Sequence, residues 1–227
     1  MASTKHLRVG IERGDKRIFA VALDWPGWAR SGKSEEEAIE ALLRYAPRYA
    51  RAMKAAKPKN PVPGPDASIE VVERHKGGSG TDFGVPGVPA KNDAKSLRGG
   101  DLQRHRAILQ AAWGAFDAAA RAAKGKTLTV GPRGGGRTLA KMSGHVLEAE
   151  IAYLGQLGSR HAKPSRGDDE MALVRREALA ALEAVSAGEE SDNPRNTKKP
   201  WSPRYFVRRS AWHALDHAWE LEDRTPG

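Results

Sequence analysis

Two histidines near the C-terminal end of the chain are spaced for metal binding. His213 and His217, in the run AWHALDHAWELED, stand four residues apart in a segment with helical periodicity. Residues at this interval lie on one face of a helix, with about 6 Å between their Cβ atoms. Two imidazoles at such a spacing can hold one metal ion. The same spacing also arises by chance on helix surfaces, so the pair alone is a weak indication of a metal site.

A third imidazole stands on another segment with helical periodicity. His145 lies in the run SGHVLEAEIAYL. If the two helices are neighbours, three imidazoles converge, and three histidines with an open fourth position are typical of a catalytic rather than a structural metal site. The chain has no cysteine, so imidazole nitrogen is its softest ligand type. A divalent metal is therefore expected: zinc first, with nickel or iron as the alternatives, all of which fit such ligands better than magnesium or calcium.

Three charged residues near these histidines are candidates for supporting roles. Arg209 precedes His213 by one turn and could hold an anionic group of a ligand, or it could be an ordinary surface arginine. Glu148 follows His145 by three positions, and Asp216 follows His213 by the same interval. Either carboxylate could orient a ligand imidazole by accepting its other N–H, or could simply face water. The other histidines lie near loops or helix ends and are expected to be exposed: His6, His75, His105 and His161.

The composition excludes several classes of protein. The chain has 227 residues, 39% of them hydrophobic and 29% charged, which suits one or two domains. The absence of cysteine excludes a disulfide framework and a cysteine nucleophile. No apolar run approaches the roughly 18 residues of a membrane span, and the N-terminus lacks the apolar region of a signal peptide. We expect a cytoplasmic protein with no membrane association.

The positive charge of the chain is dispersed. Lys and Arg exceed Asp and Glu by 10, and the sequence pI is about 9.9. Basic and acidic residues are interleaved, with no block of five or six like charges, so a solvated surface explains most of the excess. No recognition helix is visible. Specific nucleic-acid binding is therefore not expected.

The first 75 residues predict a small sheet with one helix. Residues 7–11 alternate in polarity and the run at 17–23 is apolar, which predicts a β-hairpin. Short strands are expected at 29–31, after the Trp-Pro-Gly-Trp turn, and at 68–74. Between them, Ser34 and Glu37 have the spacing of a helix capping box. Pro47 predicts a kink or an early stop of that helix near Ala46.

The rest of the chain predicts helices. Residues 76–100 are rich in glycine and proline and are expected to form a connecting loop anchored by Phe83 and Val85. From residue 101 the hydrophobic period becomes that of a helix, with segments at about 102–123, 138–157, 168–185 and 203–222. The predicted fold class is α+β: a small N-terminal β-sheet plus helix module in 1–75, the loop in 76–100, and an all-α four-helix bundle in 101–227.

The C-terminal part, about 101–225, resembles the DinB superfamily of four-helix-bundle metalloproteins. The runs SGHVLEAEIAYLGQL on the second helix and WHALDHAWELED on the fourth carry the resemblance. That family has a histidine on helix two and an HxxxH motif on helix four, which hold a divalent metal. The resemblance implies His145, His213 and His217 as the metal ligands. The family includes S-transferases that use bacillithiol, mycothiol or glutathione, and a mycothiol-dependent maleylpyruvate isomerase.

The resemblance implies a metal-dependent thiol S-transferase acting on small electrophiles. A metal with an open position can bind a low-molecular-weight thiol and deprotonate it near neutral pH. The expected partners are then a small thiol, with mycothiol or a related compound as cofactor, and an electrophilic substrate. Arg209 is the candidate to bind the thiol or the substrate. The Ala- and Arg-rich composition is compatible with a mycothiol user.

Residues 7–54 resemble a HicB-like antitoxin domain. The run FAVALDWPGWARSGKSEEEAIEALLRYAPRYA carries the resemblance, which implies a small sheet backed by a helix. In toxin–antitoxin systems such a domain masks a ribonuclease, and a DNA-binding segment often follows it, but no helix-turn-helix or ribbon-helix-helix pattern follows here. A structural or dimerising role is expected, with a homodimer left open. Two alternatives to an enzyme remain: a regulatory interaction protein using this module, and a metal-binding bundle without turnover.

Overall fold

Four strands form one mixed sheet in the computed structural model, which describes residues 6–131, 136–189 and 200–226. Strands β1 (Leu7–Arg13) and β2 (Ile18–Ala22) make the predicted antiparallel hairpin. Strand β3 (Ala29–Gly32) pairs antiparallel with β2, and β4 (Ile69–Lys76) lies parallel to β1. The strand order is therefore β3-β2-β1-β4. This sheet and the helices that follow confirm the α+β class.

The turn after β2 carries a buried aromatic cluster. Gly27 adopts a φ of 90°, in the left-handed region that glycine enters without steric cost, and the N–H of Ala22 donates to the carbonyl of Trp28. Trp28 is fully buried and stacks on Tyr49, with ring centroids 5.0 Å apart. Its indole N–H donates to the carbonyl of Leu42 at 3.0 Å. Through these contacts the turn packs against the two helices that follow it, which contain Leu42 and Tyr49.

The first helix, α1 (Glu35–Arg44), begins at the predicted capping motif. The hydroxyl of Ser34 accepts from the N–H of Glu37 at 3.1 Å, and the Glu37 carboxylate accepts from the backbone N–H just before Ser34. The early stop is also confirmed, because α1 ends at Arg44 and a second helix, α2 (Ala46–Ala52), has Pro47 in its first turn. Proline is tolerated there because no helical N–H is needed at that position.

Residues 76–100, which the composition predicts as a loop, contain regular structure. They include a short helix, α3 (Ser79–Phe83), and a 3-10 helix at Lys91–Ala94, and the first long helix already begins at Gly99. The side chain of Phe83 is 79% exposed, so the expectation that it anchors this segment is wrong. Val85, the other predicted anchor, does pack against the buried cluster of Phe19, Ala29 and Trp212, and polar contacts hold the rest of the segment.

A buried carboxylate on the sheet holds this segment in place. Glu12 accepts hydrogen bonds from the Thr81 hydroxyl at 2.5 Å and from the N–H groups of Gly87 and Val88, each at 3.0 Å. Glu12 is 3% exposed, and a buried carboxylate is stable only when its oxygens are hydrogen-bonded in this way. Residues 85–88 consequently lie across the sheet.

Four long helices follow, close to the predicted bounds. They are α4 (Gly99–Ala123), α5 (Leu139–Gln156), α6 (Glu170–Ala187) and α7 (Pro203–Arg224). Helix α7 packs along α4 and also contacts α5 and α6. Their arrangement as a four-helix bundle remains a prediction. No helix in the described part of the chain is long and apolar enough to cross a membrane.

Helix α7 lies between the sheet and α4. In β2, the side chains of Ile18, Ala20 and Ala22 join the main core, where α1 packs against this strand. Side chains of a strand alternate between its faces, and Phe19 meets Trp212 of α7 edge-on, with ring centroids 6.4 Å apart. The helix that carries two of the candidate ligands is therefore held on both sides.

Of the histidines expected to be exposed, His105 is buried, and His75 and His161 are half-buried. His105 is 6% exposed: its Nδ1 lies 2.7 Å from the carbonyl of Asp101, and its Nε2 lies 3.5 Å from Arg204 of α7. The expectation was wrong because α7 packs along α4 and covers this position. Burial, followed by the nearby arginines, lowers the pKa of His105 to about 4. The His161 side chain is 11% exposed and lies 2.6 Å from the Glu177 carboxylate.

Candidate metal centre

The three predicted ligands converge between α5 and α7. One ring nitrogen from each of His145, His213 and His217 lies within 4.8 Å of the other two. The Nε2 atoms of His145 and His213 are 3.3 Å apart. Two nitrogens bound at 2.0–2.1 Å to one tetrahedral zinc lie about 3.3–3.4 Å apart. The spacing of this pair therefore fits two ligands of a single tetrahedral metal.

The position of the centre follows from the packing of α7. The i, i+4 pair lies on one flank of this helix, and the small side chains Ala211, Ala214 and Ala218 are fully buried in the core. Small residues let α4 and α5 approach the helix backbone closely. His213 and His217 are only 6% and 7% exposed as a result.

An ion network fixes the helix that carries the third ligand. Arg175 of α6 donates to Glu150 of α5 at 2.9 and 3.1 Å, and to Asp117 of α4 at 2.8 and 3.0 Å. Glu150 is buried, and a forked arginine contact of this kind restricts orientation as well as distance. Helix α5 is thereby held so that His145, one and a half turns before Glu150, faces α7.

A carboxylate orients one ligand imidazole. Nδ1 of His217 lies 3.2 Å from Oε2 of Glu220, whose other oxygen accepts from Arg224 at 2.9 Å. A carboxylate in this position accepts the Nδ1–H and leaves the lone pair of Nε2 free for a metal. The hydrogen bond to His217, together with Arg224, holds the pKa of Glu220 below its usual value.

The electrostatic surroundings keep two of the imidazoles neutral. Burial, followed by the charges of His217 and Arg209, holds the pKa of His213 far below its ordinary range. Burial is also the main cause that lowers the pKa of His145. Neutral imidazole is the form that binds a metal. His145 and His213 are therefore in their metal-binding form at neutral pH.

Two arginines place positive charge beside the centre. Arg209 lies one turn before His213, and its guanidinium lies over the rings of Trp212 at 4.6 Å and Tyr153 at 5.3 Å. Tyr153 in turn meets the His213 ring edge-on at 5.7 Å. The charge of Arg137, just before α5, lowers the pKa values of both His145 and His213. The surroundings of the centre therefore favour an anionic ligand.

The two carboxylates suggested by the sequence lie elsewhere. Asp216 pairs with Arg30 of β3 at 2.8 Å, and Glu148 is exposed. Among the described residues, neither is hydrogen-bonded to an imidazole of the trio. The sequence reasoning missed Glu220, although the same interval of three residues, counted from His217 rather than His213, points to it.

The residues present fit a divalent metal. All three ligands are nitrogens, one is oriented by a carboxylate, and Nδ1 of His213 is buried without a hydrogen-bond partner. Because His145 is only half-buried, one side of the centre is reachable from solvent. Such a donor set suits zinc, nickel or iron and leaves room for a fourth ligand. No family model, curated protein or solved structure matches the chain.

Proposed function

We propose that the protein is a DinB-like, metal-dependent thiol S-transferase whose three-histidine centre binds a divalent cation, with zinc as the first candidate. The observation that carries the proposal is the convergence of His145, His213 and His217, with one nitrogen of each within 4.8 Å of the others. In this proposal α4–α7 form the four-helix bundle of that superfamily, and the N-terminal sheet and α1 correspond to a HicB-like module.

Each residue around the centre has a role in this proposal. The three imidazoles bind the metal, and Glu220 holds the tautomer of His217. A metal bound there would supply Lewis acidity, which lowers the pKa of a thiol at the open position. The positive charges of Arg209 and Arg137 favour the thiolate over the thiol and attract an anionic substrate.

The nucleophilic sulfur comes from a small molecule in this scheme. The chain contains no cysteine, so the attacking thiolate belongs to a low-molecular-weight thiol such as mycothiol, bacillithiol or glutathione. Its sulfur forms a bond to an electrophilic carbon, the bond to the leaving group breaks, and the thiol proton passes to solvent. Half-buried His145 lies at the side of the centre where such molecules enter.

The alternative is a regulatory protein that uses the HicB-like module to bind a partner. Two observations support the enzyme over this alternative. The sheet face that carries Phe19 packs on Trp212 of the same chain, so it is not free for another protein. The three converging histidines, of which His217 is oriented by a carboxylate, also lie outside that module.

Metal analysis of purified variants tests the centre. We expect about one divalent metal per chain in the wild type and in His6→Ala, an exposed histidine outside the centre, and less than a tenth of that in His145→Ala and His213→Ala. Full metal occupancy in both ligand variants would overturn the site.

A thiol screen tests the reaction. Zinc-loaded protein is mixed with mycothiol, bacillithiol or glutathione and with 1-chloro-2,4-dinitrobenzene, and formation of the dinitrophenyl thioether is followed by absorbance. The expected result is turnover with at least one thiol that is lost in His213→Ala. Metal binding without turnover of any thiol would favour the bundle without catalysis.

A further inference from the structure

A cleft separates the sheet from α7 beside the candidate centre. Strands β2 and β3, residues 86–88 and α7 line it, and the space inside it that is open to a water-sized sphere is about 20 Å³. About 10–15 Å³ of such space holds one water molecule, so the cleft admits the polar head of a ligand, and the rest of that ligand would lie at the open mouth. The apolar part of this wall is formed by Val21, Ala29, Pro86 and Val88.

Two arginines line the cleft, and only one has its charge compensated. Arg208 pairs with buried Asp93 at 2.9 Å and also donates to the carbonyl of Leu23 at 3.1 Å. Arg209 has no carboxylate partner among the described residues, and its Nη1 is buried without a hydrogen bond. A half-buried guanidinium in this state favours an oxyanion, because it has no carboxylate partner and its Nη1–H groups are unpaired.

A second donor stands next to Arg209. Trp212 also lines the cleft, and its indole N–H is buried with no acceptor among the described groups. Buried polar groups nearly always have a partner, and an unpaired donor costs free energy that an acceptor oxygen recovers. Because the Arg209 guanidinium lies 4.6 Å from the centre of the Trp212 ring, one carboxylate can serve both donors.

Arg209 also connects the cleft to the candidate centre. Its guanidinium lies over Trp212 on the cleft side and over Tyr153 on the other, and Tyr153 contacts the His213 ring. A ligand held by Arg209 would thus be separated from the imidazole of His213 by a single aromatic ring.

We propose that this cleft binds a small organic acid, with its carboxylate on Arg209 and the indole N–H of Trp212 and its apolar body against Val21 and Val88. This inference deepens the proposed function by naming the class of the electrophilic substrate. Only the statement that the bound acid is a substrate rests on the proposed function. The carboxylate site itself depends on the cleft and not on the metal.

Binding of benzoate, measured by titration calorimetry, tests the proposal. Benzamide has the same ring without the charge and serves as the matched ligand. We expect benzoate to bind saturably and benzamide at least tenfold more weakly. Losing one hydrogen bond to a charged group corresponds to about a 10- to 150-fold loss of affinity, which is the effect expected of Arg209→Gln. Arg209→Lys should recover part of it, since lysine cannot make the forked contact.

Two further variants define the site. Arg176→Gln removes the same charge from an exposed position on α6 and should leave benzoate affinity unchanged. Trp212→Phe keeps an aromatic ring and removes only the donor, so it should weaken binding. Comparing the NMR spectra of ¹⁵N-labelled wild type and Trp212→Phe identifies the indole N–H signal of Trp212, because that signal is missing from the variant. Adding benzoate to the wild type should shift this signal.

The titration is repeated on protein stripped of metal and on His145→Ala. Equal binding with and without metal supports the cleft, even if metal analysis refutes the centre. Absence of benzoate binding to the wild type, equal affinity for benzamide, or unchanged affinity in a folded Arg209→Gln would overturn it. Binding that disappears on metal removal would also overturn it, because the centre and not the cleft would then hold the acid.

Discussion

Nδ1 of His217 lies 3.2 Å from Oε2 of Glu220, one turn further along α7, and the same carboxylate accepts from Arg224. This carboxylate orients the candidate ligand, whereas Asp216, on the neighbouring turn, is used by Arg30 of the sheet. The pairing indicates which of the two acidic residues supports the centre and gives a direct test.

Glu220→Gln should weaken metal binding while leaving the fold intact. Carboxylates that orient a metal-bound histidine typically contribute about 10- to 100-fold to affinity, because they fix the tautomer and make the imidazole more basic. Competition with a chromophoric zinc chelator measures the change. Asp216→Asn is the matched control, with expected affinity within twofold of the wild type. A larger loss in the control than in Glu220→Gln would contradict this assignment.

Asp93→Ala should be strongly destabilising. Asp93 is 1% exposed and pairs with Arg208, which also donates to the backbone carbonyls of Ala22 and Leu23 at the end of β2. Removing one partner of a buried pair leaves an uncompensated charge and costs about 3–5 kcal/mol. Urea unfolding followed by circular dichroism gives the value.

The control for that measurement is Asp216→Ala, which removes a partly exposed ion pair with Arg30. A pair of this kind contributes about 0–1 kcal/mol. Equal destabilisation by the two substitutions would show that the Asp93 pair does not hold the 3-10 helix at Lys91–Ala94 against α7 in the way its burial indicates.

The stability of the protein should fall between pH 7.5 and pH 5, partly through His105. Burial lowers its pKa to about 4 in the folded chain, below the ordinary value of about 6.5 in the unfolded chain. Between these values the unfolded state binds one proton more, so acidification favours unfolding. The contribution is present above pH 6.5 and is lost as the pH falls towards 4. From pH 7.5 to 5 it amounts to about 2 kcal/mol.

Urea unfolding of the wild type and His105→Gln at both pH values isolates this effect, since all other groups titrate in both proteins. The wild type should lose about 2 kcal/mol more than the variant over this interval. Parallel losses in the two proteins would refute a buried, neutral His105.

Two glycine-to-alanine substitutions should change the stability of the protein in opposite directions. At Gly27, with a φ of 90°, an added Cβ would meet the Cβ of Ala211 on α7 at 2.8 Å. Gly27→Ala should therefore destabilise the protein by about 1–3 kcal/mol through crowding and backbone strain. At Gly114 in α4 no atom lies within 4 Å of an added Cβ, and Gly114→Ala should stabilise by up to about 1 kcal/mol. Thermal unfolding of both variants checks the pair, and a stabilising Gly27→Ala would contradict the close contact between the turn and α7.

The sequence by itself determined most of the elements and the spacing of the candidate ligand pair. Capping at Ser34, the stop at Pro47 and the helical periods after residue 101 are local, because backbone geometry and neighbouring side chains decide them. The i, i+4 spacing of His213 and His217 is local for the same reason. His145 was predictable as the third ligand only on the condition that α5 and α7 are neighbours.

Only the tertiary structure decided how these elements meet. Arg175 of α6 binds Glu150 of α5 and Asp117 of α4. Glu12 of the sheet accepts a hydrogen bond from the backbone of Val88. Arg208 pairs with Asp93, which lies more than a hundred positions earlier in the chain. The choice of Glu220 over Asp216 depends on such contacts, because Arg30 of the sheet engages Asp216. Long-range packing of this kind has no signature in local periodicity, since residues far apart in sequence are brought together only by burial of the common core.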